Sequence, residues 1–319
     1  MKGIYMQKHK IILDTDIGYD PDDVLALLFA INSPEIEILG ITTSFEFTGF
    51  KQQITKKILA LVGRTDIPVR AGMDFVNLKY FPSSYQTEES KKHGSKHAKR
   101  NGKGIFPPTI NRYCKPENEF APIFIKNMAE KYPGKISLIC IGPLTNVGYL
   151  TRRYPEAASK LKAIYLMGGV VNNKVLPGKR EFNIRADVVA AQSVYGYAAI
   201  DKVPIFMIGT EVTRDVFVPD KDVIPMVERK KSSLSRIFKT HIKAYNKLYK
   251  RDHTILHDPL AIGMLIKPSL YEFRKIKVDI DDAGIMNTTR SNSSRISGVL
   301  KVKGNEFIDL FKERISDII

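Results

Sequence analysis

The stretch Asp14-Thr15-Asp16-Ile17-Gly18-Tyr19-Asp20-Pro21-Asp22-Asp23 sets five carboxylates within ten residues. Like charges packed this densely repel unless something positive sits among them. Asp is favoured in the first turn of a helix, which accounts for one or two of the five. It does not account for Asp14 and Asp16, which the apolar run Ile11-Ile12-Leu13 places at the tip of a strand. A hard cation with oxygen ligands, Ca²⁺ or Mg²⁺, satisfies the set; an acidic, solvated turn is the alternative. The Asp spacing is not that of an EF-hand, and no Glu stands at the closing position of such a loop. Far along the chain, Leu256-His257-Asp258-Pro259-Leu260 supplies another carboxylate and an imidazole, a group that ordinarily titrates near neutrality. A residue before proline is biased away from helix and proline suits the first helical position, so His257 and Asp258 are expected at the mouth of a helix, facing a cleft.

Regular elements must hold these groups in place. The run through Leu13 reads as a buried strand, broken at Gly18 and Pro21, with an apolar helix over residues 24–31. Strands are expected at 37–43, 67–72, 136–142, 163–169 and 204–209, and helices at 51–63, 122–132, 188–199 and 233–251. The last of these helices carries an aromatic stripe of Phe238, Tyr245 and Tyr249, with Phe238 read as core. Residues 271–319 read as strands closed by a helix from Asn305. This alternation predicts an α/β fold with an open, mostly parallel sheet and helices on both faces. Ligands in such folds bind outside the carboxyl ends of the strands, which here carry Asp14, Asp16, Thr42, Thr43, the segment 142–146, Gly168 and Gly169. One domain over residues 1–319 is expected, with a long loop or lid inserted at about 75–118 (rich in Gly, Pro, Ser, Lys, His and Tyr).

A chain of 319 residues buries a core without needing a disulfide or metal staple. Its two cysteines, Cys114 and Cys140, are unclustered, which suggests reduced thiols and a cytoplasmic setting. Residues 1–10 lack an apolar segment of signal-peptide length, and no run elsewhere is long enough to span a bilayer. The net charge of +16 is spread along the chain, with local clusters at 91–103, 174–180 and 229–231. None interleaves aromatics at stacking intervals, so the charge reads as a solvated face rather than a nucleic-acid or membrane surface.

Four stretches taken together resemble the inosine-uridine preferring nucleoside hydrolase family: Asp14-Thr15-Asp16-Ile17-Gly18 with Asp22-Asp23; Gly142-Pro143-Leu144-Thr145-Asn146; Met167-Gly168-Gly169 with Glu181-Phe182-Asn183; and His257-Asp258-Pro259-Leu260-Ala261. They stand in the family's order and span nearly the whole chain. The resemblance implies a Ca²⁺-dependent ribonucleoside N-ribohydrolase of nucleoside salvage, releasing free base and ribose, cytoplasmic and homodimeric or homotetrameric. It implies Asp16, Asp23 and Asp258 as calcium ligands through carboxylates and Thr145 through its carbonyl, with Asp16 also deprotonating the attacking water. Asp22, Glu181 and Asn183 would hold ribose hydroxyls, and His257 would protonate or polarise the departing base. The chain departs from the pattern in places. After Thr42-Thr43 the family shows Gly-Asn or Gly-Asp, and here Thr48 stands nearest to that Asn. Asn173 or Lys174 stands where another ribose-contacting Asn is expected, and Val188 replaces a Pro.

The chemistry suits such residues. Breaking the bond to a nucleobase builds positive charge on the sugar and negative charge on the base, so a sugar stabiliser, a base for water and a donor to the leaving group are needed. The chain has no Trp, so base contacts fall to Tyr249, at the position where pyrimidine-preferring relatives touch the base, or to Phe45, Phe47, His93 and His97. A pyrimidine or mixed preference follows. Two other readings compete: a nucleoside- or ribose-binding protein that has lost catalysis through the changes at Thr48 and Asn173, and a phosphatase using Asp14, which lacks a convincing partner set and leaves His257-Asp258-Pro259 unexplained.

Overall fold

The computed structural model describes residues 8–74, 119–172, 174–199, 202–229 and 231–315. The expected lid, His93, His97, Cys114 and Asn173 lie outside the described residues. A nine-stranded sheet forms the centre. The first strand, β1 (His9–Thr15), pairs in parallel with β2 (Ile36–Thr43) on one side and β4 (Ile136–Cys140) on the other. Beyond β2 lies β3 (Val69–Ala71); beyond β4 come β5 (Ala163–Met167) and β6 (Ile205–Ile208), all parallel. A short antiparallel pair, β7 (Phe217–Pro219) with β8 (His253–Ile255), stands apart. The sheet is extended by β11 (Ile296–Val302), parallel to β6, and then by β9 (Tyr271–Ile280) and β10 (Met286–Arg290), both antiparallel to their neighbours.

Both sheet faces are covered, which explains why the parallel strands read as unbroken apolar runs. Along β1, Ile11 and Leu13 pack into one core while Ile12 packs into the other. The first core gathers the helices Pro21–Ile31, Ser233–Tyr249, His257–Ile266 and Gly304–Ile315. The second gathers Ala121–Lys131, Thr145–Arg153 and Val188–Ala199. Chain order runs outward from β1 in both directions, so a topological switch point lies between β1 and β4. Their carboxyl ends part there and leave a crevice.

Local differences from expectation have local causes. The first helix starts at Pro21 rather than residue 24, because proline's fixed φ suits the first helical position. Asp258 lies inside the helix His257–Ile266, with Pro259 its third residue. The amide that proline lacks is one of the four a helix N-terminus cannot pair, so the preference against helix before proline is overridden at little expense. The strand expected at 67–72 shortens to Val69–Ala71. Among the described residues, no helix is long and apolar enough to cross a membrane.

The helix Ser233–Tyr249 presents one face to the acidic turn. His241 Nε2 lies 3.0 Å from the Tyr19 carbonyl, and Tyr245 bonds the Asp20 carboxyl. Burial holds the His241 imidazole below its usual pKa, a loss only partly offset by its bond to Tyr19. Below pH about 6.5 the unfolded chain therefore takes up a proton that the fold resists. We predict that the stability of the wild type relative to His241→Gln falls as pH drops from 7.5 to 5, the raised carboxyl groups of the acidic turn contributing alike to both proteins. Urea midpoints of the two proteins decide this, and parallel pH profiles would exclude His241 as the cause.

Candidate active site

Three carboxyl groups meet at the switch point. Asp22 and Asp23 sit in the first turn of the helix Pro21–Ile31, and Asp258 sits in the first turn of His257–Ile266. One ligand oxygen from each lies within 4.8 Å of the others, and all three side chains are buried. Asp22 also accepts the Asp258 amide, which joins the two helix starts. Burial pushes all three groups well above the usual carboxylate range, and neighbouring negative charge adds to it. Two helix N-termini supply only about half a positive charge each, so the cluster remains electrostatically unsatisfied. A buried, all-oxygen donor set of this kind fits a hard divalent cation.

Asp16 belongs to the same field. It is 7% exposed, and its charge raises the pKa of Asp22, Asp23 and Asp258. It rests against Gly142 at the end of β4, where an added Cβ would come 2.7 Å from Asp16 Oδ1. Thr15 Oγ1 accepts the Ile17 amide at 3.1 Å and donates to Asp23 Oδ1 at 2.5 Å, so the strand tip orients a cluster member. Asp14 behaves differently, although sequence grouped it with Asp16. Its Oδ1 accepts from Thr42 Oγ1 at 2.5 Å and Asn146 Nδ2 at 2.8 Å, and burial lifts it to about 7. Asn146 also reaches the Thr43 carbonyl and accepts the Met73 amide, so Asp14 anchors a scaffold of strand ends. Asp20 is lifted by burial to about 6 and held by Tyr245.

The Glu181 and Asn183 side chains pack against the carboxyl ends of β4 and β5. Glu181 caps the short helix Phe182–Arg185, accepting the Asn183 and Ile184 amides at 3.1 Å each and the Gly169 amide at 2.8 Å. Gly169 holds φ at +76°, a backbone that side-chain-bearing residues rarely adopt, and this aims its N–H at Glu181. Asn183 Nδ2 donates to the Ile141 and Met167 carbonyls at 3.2 and 3.0 Å, so only Oδ1 is left to face a ligand. Both residues can therefore only accept further hydrogen bonds, which suits hydroxyl donors. The Thr145 hydroxyl bonds Asp187, which in turn caps the helix Val188–Ala199 through the Ala190 amide at 3.0 Å. Thr48 Oγ1 is engaged within the protein, 2.7 Å from Asp74 Oδ1 and 2.9 Å from the Gly72 carbonyl.

His257 is half-buried with Nδ1 2.6 Å from Thr213 Oγ1. Burial, aided by the Arg251 charge, pushes it down to about 4, so it does not titrate near neutrality as its type suggests. Tyr249 is 42% exposed and stacks at a tilt on Tyr245, ring centroids 4.6 Å apart.

Besides His241, the buried ionisable residues Glu211 and Lys51 were not singled out from the sequence. Glu211 Oε1 accepts the amides of Val171 and Asn172 at 2.7 and 2.8 Å, setting the loop that leads to residue 173. An acid just past a strand end was the available signal. Lys51 lies one turn into the helix Thr48–Leu61. Burial pushes its ammonium down to about 8, against the opposing pull of Asp16, Asp23, Glu46 and Asp74. Nothing in its spacing distinguishes it from a solvated lysine.

Residues 11–309 match the family described as inosine-uridine preferring nucleoside hydrolase. A probable uridine nucleosidase 2 from Arabidopsis thaliana is 31% identical over 285 residues, covering 87% of this chain and 84% of its own. The pyrimidine-specific ribonucleoside hydrolase RihB of Escherichia coli is 28% identical, over 86% of this chain and 84% of its own. Among solved structures, a purine-preferring ribonucleoside hydrolase from Gardnerella vaginalis superposes with a TM-score of 0.78 at 25% identity, covering 97% of this chain and 98% of its own. A plant nucleoside hydrolase does so at 0.77 and 25%, covering 97% and 99%. With its acidic crevice at the switch point and a match spanning nearly its full length, the chain belongs to the inosine-uridine preferring nucleoside hydrolase family, enzymes that act on N-glycosyl bonds.

Proposed function

We propose that the protein uses Ca²⁺ to hydrolyse the N-glycosidic bond of ribonucleosides in salvage, with pyrimidine nucleosides preferred. The observation that carries this is the meeting of Asp22, Asp23 and Asp258 within 4.8 Å, at one mouth of the sheet with Asp16. Asp23, Asp258, Asp16 and the Thr145 carbonyl would hold the ion, with Asp22 turned to the sugar diol. When bound to these residues, a hard cation would supply positive charge that favours deprotonation of water beside Asp16. Asp16 takes the proton as water oxygen bonds to the sugar carbon and the bond to the base breaks. Glu181 and Asn183 accept from ribose hydroxyls through their remaining lone pairs. His257, neutral at pH 7, supports the leaving base as an N–H donor rather than as an imidazolium. If the Thr213 hydroxyl donates to Nδ1, the proton stands on Nε2. The pyrimidine preference rests on the relatives named uridine nucleosidase and pyrimidine-specific hydrolase, and on Tyr249.

The test is release of free base and ribose from uridine, cytidine, inosine and adenosine with Ca²⁺ supplied. Uridine and cytidine are expected to turn over fastest. Absence of base release from all four would end the hydrolase reading, and ribose-dependent thermal stabilisation without turnover would replace it with a binding protein.

A further inference from the structure

Lys51 takes no part in those steps, yet it is 2% exposed and set beside the acidic turn. Its Nζ donates to the Ser44 carbonyl at 3.1 Å and to the Phe45 carbonyl. The same nitrogen stands 4.4 Å from the centroid of the Tyr19 ring and 5.4 Å from that of Phe45. Two carbonyl dipoles and two ring faces all present partial negative charge, which an ammonium satisfies and a neutral side chain does not. The segment it grips is unusual. Phe45, Glu46 and Phe47 hold φ at 58°, 41° and 53°, three consecutive left-handed residues with no glycine among them. L side chains disfavour this region, so the arch persists only because its surroundings hold it. Other ties include the Glu46 amide to the Asp74 carbonyl at 2.6 Å, the Tyr19 hydroxyl to Glu46 Oε2 at 2.8 Å, and the Phe50 and Lys51 amides to the Phe47 carbonyl at 2.9 and 3.0 Å.

The arch places one ring usefully. Phe45 meets Phe182 edge-on, centroids 5.4 Å apart, and Tyr19 at a tilt, 6.4 Å apart. All three rings are half-buried, and they span from the acidic turn to the arm carrying Glu181 and Asn183. We propose that Lys51 is a positioning residue: by drawing the Ser44 and Phe45 carbonyls onto its ammonium, it holds the left-handed arch and sets the Tyr19–Phe45–Phe182 wall against the sugar. The identity of that sugar rests on the nucleoside reading above; the clamp itself does not.

Two readouts test it on the full chain. In Lys51→Met, amide exchange across residues 44–48 is expected to quicken about tenfold or more while the central strands stay protected. KM for uridine is expected to rise about tenfold with kcat within about threefold, because binding geometry is lost and not a reacting group. Adding Phe47→Gly, which adopts the left-handed backbone without penalty, is expected to recover about a third or more of the KM loss on a logarithmic scale. Unchanged exchange at 44–48 in Lys51→Met overturns the clamp, as does a fall in kcat with KM and exchange unaltered. Should Lys51→Met fail to fold, Phe45→Leu decides: a KM rise of about fivefold supports the wall, and a change within about twofold overturns it. If exchange responds as expected but the wild type cleaves no nucleoside, the clamp stands and the nucleoside reading falls.

Discussion

Replacing Asp16 with Asn is expected to leave a folded protein whose kcat on uridine is lower by about a thousandfold, with KM changed by less than about threefold. Asn keeps the shape against Gly142 and can still offer an oxygen, but it cannot accept a proton from water. Hard divalent ions are weak acids beside zinc, so the proposed mechanism needs a protein group to accept the proton, and Asp16 stands at the strand tip next to the cluster. Steady-state kinetics on the purified variant, with its thermal midpoint as a folding control, provide the check. A loss of less than about tenfold would mean that another group takes the proton.

The second large effect expected under the proposed function follows removal of the divalent ion. Buried carboxylates about 5 Å apart repel by about 3 kcal/mol per charged pair at an effective dielectric of about 20. The empty cluster therefore relieves itself by taking up protons, in the direction its raised pKa values show. At neutral pH chelation is expected to abolish turnover, and restoring Ca²⁺ to about 100 times its Kd is expected to raise the thermal midpoint by about 5 °C. The stabilisation shrinks as pH falls, because protons compete for the same oxygens, and the raised pKa values bring that competition in at a higher pH than for ordinary carboxylates. Asp258→Ala is expected to remove both the midpoint gain and the turnover. Full activity in excess chelator, or the same calcium-dependent gain in Asp258→Ala, would remove the ion from the mechanism.

Much of the architecture was legible because parallel strands buried on both faces must be apolar throughout, as Ile11, Ile12 and Leu13 are. The pair β7 and β8, three residues each, is too short to show a period and was not legible. In the site, Asp density and the His257-Asp258-Pro259 run marked the two regions that converge. The difference between Asp14 and Asp16 was hidden, because the partners that occupy Asp14 arrive from 28 and 132 positions away. Lys51 and Glu211 were hidden for a related reason: their burial is decided by tertiary neighbours and leaves no local trace in spacing. His257 was legible in type and position but not in charge, since its lowered pKa comes from enclosure and from Arg251.

The two helix starts that bear the carboxylates lie more than two hundred residues apart in the chain, at residues 22–23 and residue 258. A nascent chain leaving the ribosome thus carries half a cradle for most of its synthesis. The cradle is complete only after residue 258 has emerged. Under the proposed function, ion capture would be a late event coupled to completion of the fold, and products truncated before residue 258, however well their early strands pair, would be left without it.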